Sequence, residues 1–127
     1  STVFKIGSHS DTNSSGQQIV AYCFDDVSGK RKFGSYTGNG SANHSITGLG
    51  FQPDFVLLKN INSSTTYWSI FDSVRGGALG IFPNDTQAES NETGVFVSLD
   101  SDGFTVNANN TANQNGSTII YWAEKIH

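Results

Sequence analysis

Residues 95–106 read Val-Phe-Val-Ser-Leu-Asp-Ser-Asp-Gly-Phe-Thr-Val, and this stretch decides the fold class. Two runs of β-branched and aromatic residues, 95–99 and 104–106, flank Asp102-Gly103, where the glycine is expected to supply the positive φ of a tight hairpin. Residues of this kind pack on a pleated surface. The pattern recurs along the chain. Short apolar runs cut off by Gly, Asn, Asp and Ser predict strands near 3–6, 17–24, 32–36, 44–47, 54–60, 67–72, 79–82, 94–99, 104–107 and 117–124. About ten short strands at this spacing predict an all-β fold, an antiparallel β-sandwich or jelly roll.

Three of these runs differ from the others. Ile19 to Phe24, Phe55 to Leu58 and Ile119 to Ala123 are apolar at both alternating positions, which predicts central strands covered on two sides. Pairing of 17–24 with 117–124 would close residues 1–127 into a single domain. Asn39-Gly40 and Asn115-Gly116 read as further turns, and 107–115 as an exposed polar loop. Thr86 to Glu89 reads as a capping box worth one helical turn at most.

Composition narrows the function classes. The 127 residues carry 7 Lys and Arg against 11 Asp and Glu, a formal net charge of −4 that excludes a general phosphate-backbone binder. No apolar run is long enough to span a bilayer, so membrane insertion is not expected, and no signal segment is recognised. The start at Ser1 reads as a processed or excised chain. With 17 Ser, 14 Gly, 12 Asn and 11 Thr, and no Met, the chain is not a helical bundle. Cys23, the sole cysteine, lies in an apolar run and reads as a small buried hydrophobe.

No catalytic constellation emerges, and the chain is not read as an enzyme. His9, His44 and His127 have no partner at metal-ligand spacing. Asp100 and Asp102 open like a calcium loop, but a strand follows where further ligands are needed. A hairpin turn with capping carboxylates is the preferred reading, so no cofactor is expected and Ca²⁺ stays open. Asp72 and Arg75, three apart across a bend, read first as a salt bridge or capped turn.

Binding fits the composition better. Sugar faces stack on exposed rings, while their hydroxyls need Asn, Asp and backbone partners. The candidate ligand-binding residues are Tyr36, Asn39, Tyr67, Trp68, Asp72 and Arg75, with one of Tyr67 or Trp68 facing solvent. Eight Asn-x-Ser/Thr sequons begin at Asn13, Asn39, Asn43, Asn62, Asn84, Asn91, Asn109 and Asn115, well above chance.

Tyr22-Cys-Phe24, Lys32-Phe-Gly-Ser-Tyr-Thr-Gly-Asn-Gly-Ser41 and Gly48-Leu-Gly-Phe-Gln-Pro-Asp-Phe-Val-Leu-Leu-Lys59 carry a resemblance. So do Phe71-Asp72, Val74-Arg75-Gly76, Asp100-Ser-Asp-Gly-Phe-Thr-Val106 and Ile119-Ile-Tyr-Trp-Ala-Glu124. Over about residues 19–125 the chain resembles a domain of unknown function that recurs in tail-fibre and other virion-associated proteins of marine bacteriophages. The resemblance implies a lectin-like β-sandwich in an extracellular virion tail or fibre, contacting other virion protein segments. Joined to the residue reading, it gives a non-catalytic recognition domain that binds host-surface glycan through loops and works as a homo-oligomer, with a trimer favoured. The alternatives are a structural spacer or decoration domain without a ligand, and a carbohydrate-binding module or secreted lectin of a cellular organism. The stretch 82–93 follows the resemblance loosely, marking a variable recognition loop.

Overall fold

The computed structural model describes residues 3–76 and 79–127. Its strands are β1 (Arg31–Thr37), β2 (His44–Thr47), β3 (Phe55–Asn60), β4 (Ser69–Asp72), β5 (Leu79–Gly80), β6 (Ser90–Asn91), β7 (Phe96–Asp100), β8 (Gly103–Val106) and β9 (Thr118–Glu124). One short helix, α1 (Ser10–Asn13), precedes them. Every pairing is antiparallel: a four-stranded sheet in the order β1-β9-β3-β4, a three-stranded sheet β2-β8-β7, and a small pair β5-β6. Among the described residues no helix is long and apolar enough to cross a membrane.

Alternation explains how the two larger sheets meet. In β3 the buried positions are Val56, Leu58 and Asn60, and in β4 they are Ser69 and Phe71. These sides face Phe96 of β7 and Phe104 and Val106 of β8, all fully buried. Phe71 and Phe96 stack across the interface with ring centroids 4.4 Å apart and 12° between planes, and Phe104 meets Tyr121 of β9 edge-on at 5.4 Å. Two antiparallel layers sharing one aromatic core form the expected sandwich.

The N-terminal expectations fail. Residues 3–6 and 17–24 form no strand, and Ile19, Val20, Tyr22 and Phe24 are all exposed, as is Cys23. The last strand does not pair with 17–24. It lies between β1 and β3, so Gly34 faces Tyr121 on one flank and Leu58 faces Tyr121 on the other. Apolar content on both faces identified β3 and β9 correctly as inner strands, but in 17–24 it marks exposed side chains, of which Phe24 alone stacks on other rings.

Three local expectations are also corrected. Gly103 does not take a positive φ; it lies in β8 opposite Asp100, and a Cβ there would collide with the Ile46 backbone carbonyl. Close approach of β2, not turn geometry, therefore requires the glycine. The turns at Gly40 and Gly116 do use positive φ, 70° and 76°. Residues 107–115 are exposed only in part: Ala108, Asn110, Gln114 and Asn115 face solvent, but Ala112 closes the core and Asn113 is fully buried. Residues 86–89 form no helical turn; the Asp85 carboxylate instead accepts the Thr86 N–H at 2.7 Å.

Candidate functional site

The register of the four-stranded sheet divides the predicted residues between two ends. Thr37, Thr118, Asn60 and Ser69 lie at one end, and Arg31, Glu124, Phe55 and Asp72 at the other. Tyr36 and Asn39 belong to the first end beside β1. Tyr67 and Trp68 belong to the same end beside β4, three strand spacings or about 14 Å away. Asp72 and Arg75 lie at the opposite end. The six residues do not form one site.

Tyr36 is corrected from ligand contact to core. Its ring packs against His44, Phe104 and Tyr121, and its hydroxyl donates to the Ala112 carbonyl at 2.7 Å. Burial pushes its phenol far above the ordinary range. Asn39 is exposed but committed: its Oδ1 accepts the Ser41 N–H at 2.8 Å and the Asn113 amide at 3.0 Å. Tyr67 presents its ring to solvent at 41 % exposure, resting edge-on against Phe82. Trp68 is half-buried, and its backbone N–H donates to Asn84 Oδ1 at 2.8 Å.

Asparagines that the sequence presented as sequons brace several of the connecting segments. Asn39, Asn91 and Asn109 each accept the backbone N–H two residues on, at Ser41, Thr93 and Thr111. An Asn with Ser or Thr two places later is the composition of an Asx-turn. The excess of sequons therefore has a structural origin at these three positions. Buried Asn60 adds a cross-brace, donating to the Asn110 carbonyl at 2.8 Å and Gln114 Oε1 at 3.0 Å.

The calcium candidates are occupied by protein donors. Asp100 accepts the hydroxyls of Ser98 and Thr105, both at 2.7 Å. Asp102 accepts the N–H groups of Gly48 at 3.0 Å and Gly50 at 2.7 Å, tying the β2–β3 connection to the hairpin. The two carboxylates serve separate networks. Among the described residues no three His, Cys, Asp or Glu gather as a metal-binding group.

At the second end, Asp72 and Arg75 do come together. They form an ion pair, the Asp72 carboxylate also accepts the Arg75 N–H at 2.8 Å, and Glu89 Oε2 lies 3.4 Å from Arg75 Nε. The expected capped turn and salt bridge coexist. This pair lines an open groove of about 340 Å³ with Asp54, Phe55, Ser73, Val74, Ile126 and His127. Asp54 accepts the N–H groups of His127 and Ile126 and the Ser73 hydroxyl, and these donors hold its carboxyl below the usual range, the His127 N–H most strongly. A second groove of similar size, at Asp26, Arg31, Lys32 and the Gly48–Gly50 loop, is more polar; the 2.6 Å Lys32–Asp26 ion pair satisfies its charges.

An aromatic cluster missed by the sequence reading adjoins the first groove. Trp122 packs against Phe24 at 5.2 Å, Phe55 at 5.4 Å and Phe33 at 5.6 Å on the outer face of the four-stranded sheet. Its buried indole N–H has no acceptor. Phe24 and Phe33 are near in sequence, but Phe55 and Trp122 are distant, and only the fold brings the four together.

Residues 1–77 and 43–126 match the family model described as a domain of unknown function, DUF7483, so together the matches cover nearly the whole chain. The chain belongs to this family. Membership extends to residues 1–18, which the resemblance had left out. Among curated proteins and among solved structures, nothing matches this DUF7483 domain.

Proposed function

We propose that this DUF7483 domain is a non-catalytic recognition domain of a bacteriophage tail or fibre, extracellular on the virion, that binds host-surface glycan at the Asp72–Arg75 groove. One observation carries the reading. An arginine paired with Asp72, its buried Nε 3.4 Å from Glu89 and without a hydrogen-bond acceptor, sits beside the apolar wall of Phe55 and Val74 in an open groove. Charged fork donors for hydroxyls next to an apolar surface for a ring face suit a saccharide. A volume of about 340 Å³ lies at the small end of ligand sites and fits shallow contact with one or two sugar units. Hydrolysis fits the same groove poorly, because a general acid must keep its proton, whereas Asp54 is held ionised by its donors and Asp72 is paired with a cation. Weak single sites of this kind gain from repetition, so a homo-oligomer, a trimer in the parent fibre, belongs to the proposal.

A glycan array probed with the tagged domain tests it. Reproducible binding that falls at least tenfold in Arg75→Ala is the expected result. Silence on polysaccharide from candidate hosts, or binding indifferent to Arg75, would overturn it in favour of a ligand-free spacer.

A further inference from the structure

Residues 17–23 lie outside any helix or strand and, from Ile19 to Cys23, are apolar at every position. Val20 is 74 % and Tyr22 82 % exposed, and Ile19 on the alternate face is also more than half exposed. From Gln18 to Phe24 no backbone N–H or C=O makes a hydrogen bond; the nearest is Gln17 N–H to the Ser14 carbonyl at 3.2 Å. A strand-forming sequence with an unused ladder is a template for pairing.

A complementary vacancy exists on β1. Arg31 exchanges both backbone bonds with Val27, so odd-numbered residues of β1 point their N–H and C=O away from β9. The Phe33 N–H is taken by Asp26 Oδ1 at 2.8 Å. Beyond it, Ser35 and Thr37 point toward the free edge and meet no backbone group. The other edges are protected: Ile70 of β4 exchanges bonds with Ile81, β7 carries a bulge between Phe96 and Ser98, and β2 has only four residues. Edges left long, flat and unbulged are where another strand adds.

The segment does not fill the edge of its own chain. A hairpin continued from the Val27–Arg31 bridge would need the Phe33 N–H that the Asp26 side chain occupies. Phe24 stacks on Trp122 of β9, so the backbone leaves the edge and crosses the outer face of the sheet. We infer that residues 17–23 add as a strand to the free edge of β1 in a second copy of this chain, at Ser35 and Thr37. The recipient edge presents Tyr36 on its inner side and Ser35 and Thr37 beyond Phe33 on its outer side, and the donor is apolar at every position from Ile19 to Cys23. Each copy gives one strand and accepts one, so the contacts close reciprocally into a dimer or head-to-tail into a ring. The Asp72–Arg75 groove lies on β4, across the sheet from β1, so this inference stands apart from glycan binding.

Sedimentation velocity of the full chain at tens of micromolar tests it. The expected wild-type species is a defined multiple of 13.6 kDa. Ala21→Pro lies in a segment that makes no hydrogen bond within the chain, so the sandwich stays folded while the variant sediments as a monomer. Ser35→Pro removes the edge-facing N–H of β1 and gives the same result. A wild-type monomer throughout the concentration range, or assembly that survives Ala21→Pro, overturns the inference. A monomeric Ala21→Pro that still shows Arg75-dependent glycan signal separates it from the functional proposal.

Discussion

Asn113 grips Asn39 at both ends: its Oδ1 accepts the Asn39 N–H at 2.8 Å while its Nδ2 donates to Asn39 Oδ1 at 3.0 Å. The same buried amide donates to the Ser41 carbonyl at 2.7 Å, and its oxygen lies 2.9 Å from His44 Nδ1. One side chain thus fastens the β1–β2 connection to the β8–β9 connection with its full hydrogen-bonding capacity.

Asn113→Asp keeps the acceptor and loses the two donations, leaving a buried carboxylate against two oxygens. The expected loss is about 2–4 kcal/mol, read as a lower urea midpoint at unchanged slope. Asn109→Asp serves as the contrast, since Asn109 only accepts from Thr111 through its side chain; its midpoint should stay within about 0.5 kcal/mol of wild type.

Phe71→Ala should cost about 3–5 kcal/mol by opening a cavity beside Phe96. Tyr22→Ala should change the unfolding free energy of the isolated chain by less than about 0.5 kcal/mol, because the ring lies in solvent. Equal effects in chemical denaturation would mean that 17–23 is packed after all.

Tyr36 predicts alkaline sensitivity. Its phenol is raised by burial, and Tyr121 is raised in the same direction, also first by burial. The neutral forms are favoured in the folded state, so their contribution is complete below the ordinary tyrosine pKa near 10 and is lost as pH rises above it. Melting temperatures should decline above about pH 10, and less steeply in Tyr36→Phe. At neutral pH the same variant should lose about 1 kcal/mol with the bond to Ala112.

Asp54 predicts the opposite limb. Its carboxyl is held below the ordinary value, so its contribution is present above that value and disappears as pH falls through the folded-state pKa. Asp54→Ala should melt below wild type at pH 7, and the two curves should converge in acid, once the folded-state carboxyl has taken up its proton. A constant gap down to acid would show that the chain at Ile126 and His127 is held by other contacts.

Local chemistry was readable wherever a strand carried its own boundaries. The segments at 44–47 and 55–60, with their alternation and flanking glycine or proline, were legible almost to the residue. Segment 17–24 misled for a definite reason: two-sided apolarity reports that both faces seek cover, not that the cover lies within the same chain. Tyr36 was misjudged because its neighbouring glycine loop looks exposed, whereas burial depends on Ala112 and Phe104, distant in sequence. The Asp72–Arg75 pair was legible because three residues across a bend leave few other geometries. The groove around it was not, since Asp54 and Ile126 arrive from separate parts of the chain.

The seating of β9 between β1 and β3 has a consequence for biosynthesis. A nascent chain emerging from the ribosome holds the first and third strands of the larger layer long before the strand that joins them exists. Until residue 124 is free of the exit tunnel, Leu58 and Tyr36 border unfilled gaps, and polypeptides stalled or cleaved before that point would be sticky. The larger layer therefore closes only once that strand is free, and tandem copies in a longer polypeptide would each await their own closing strand.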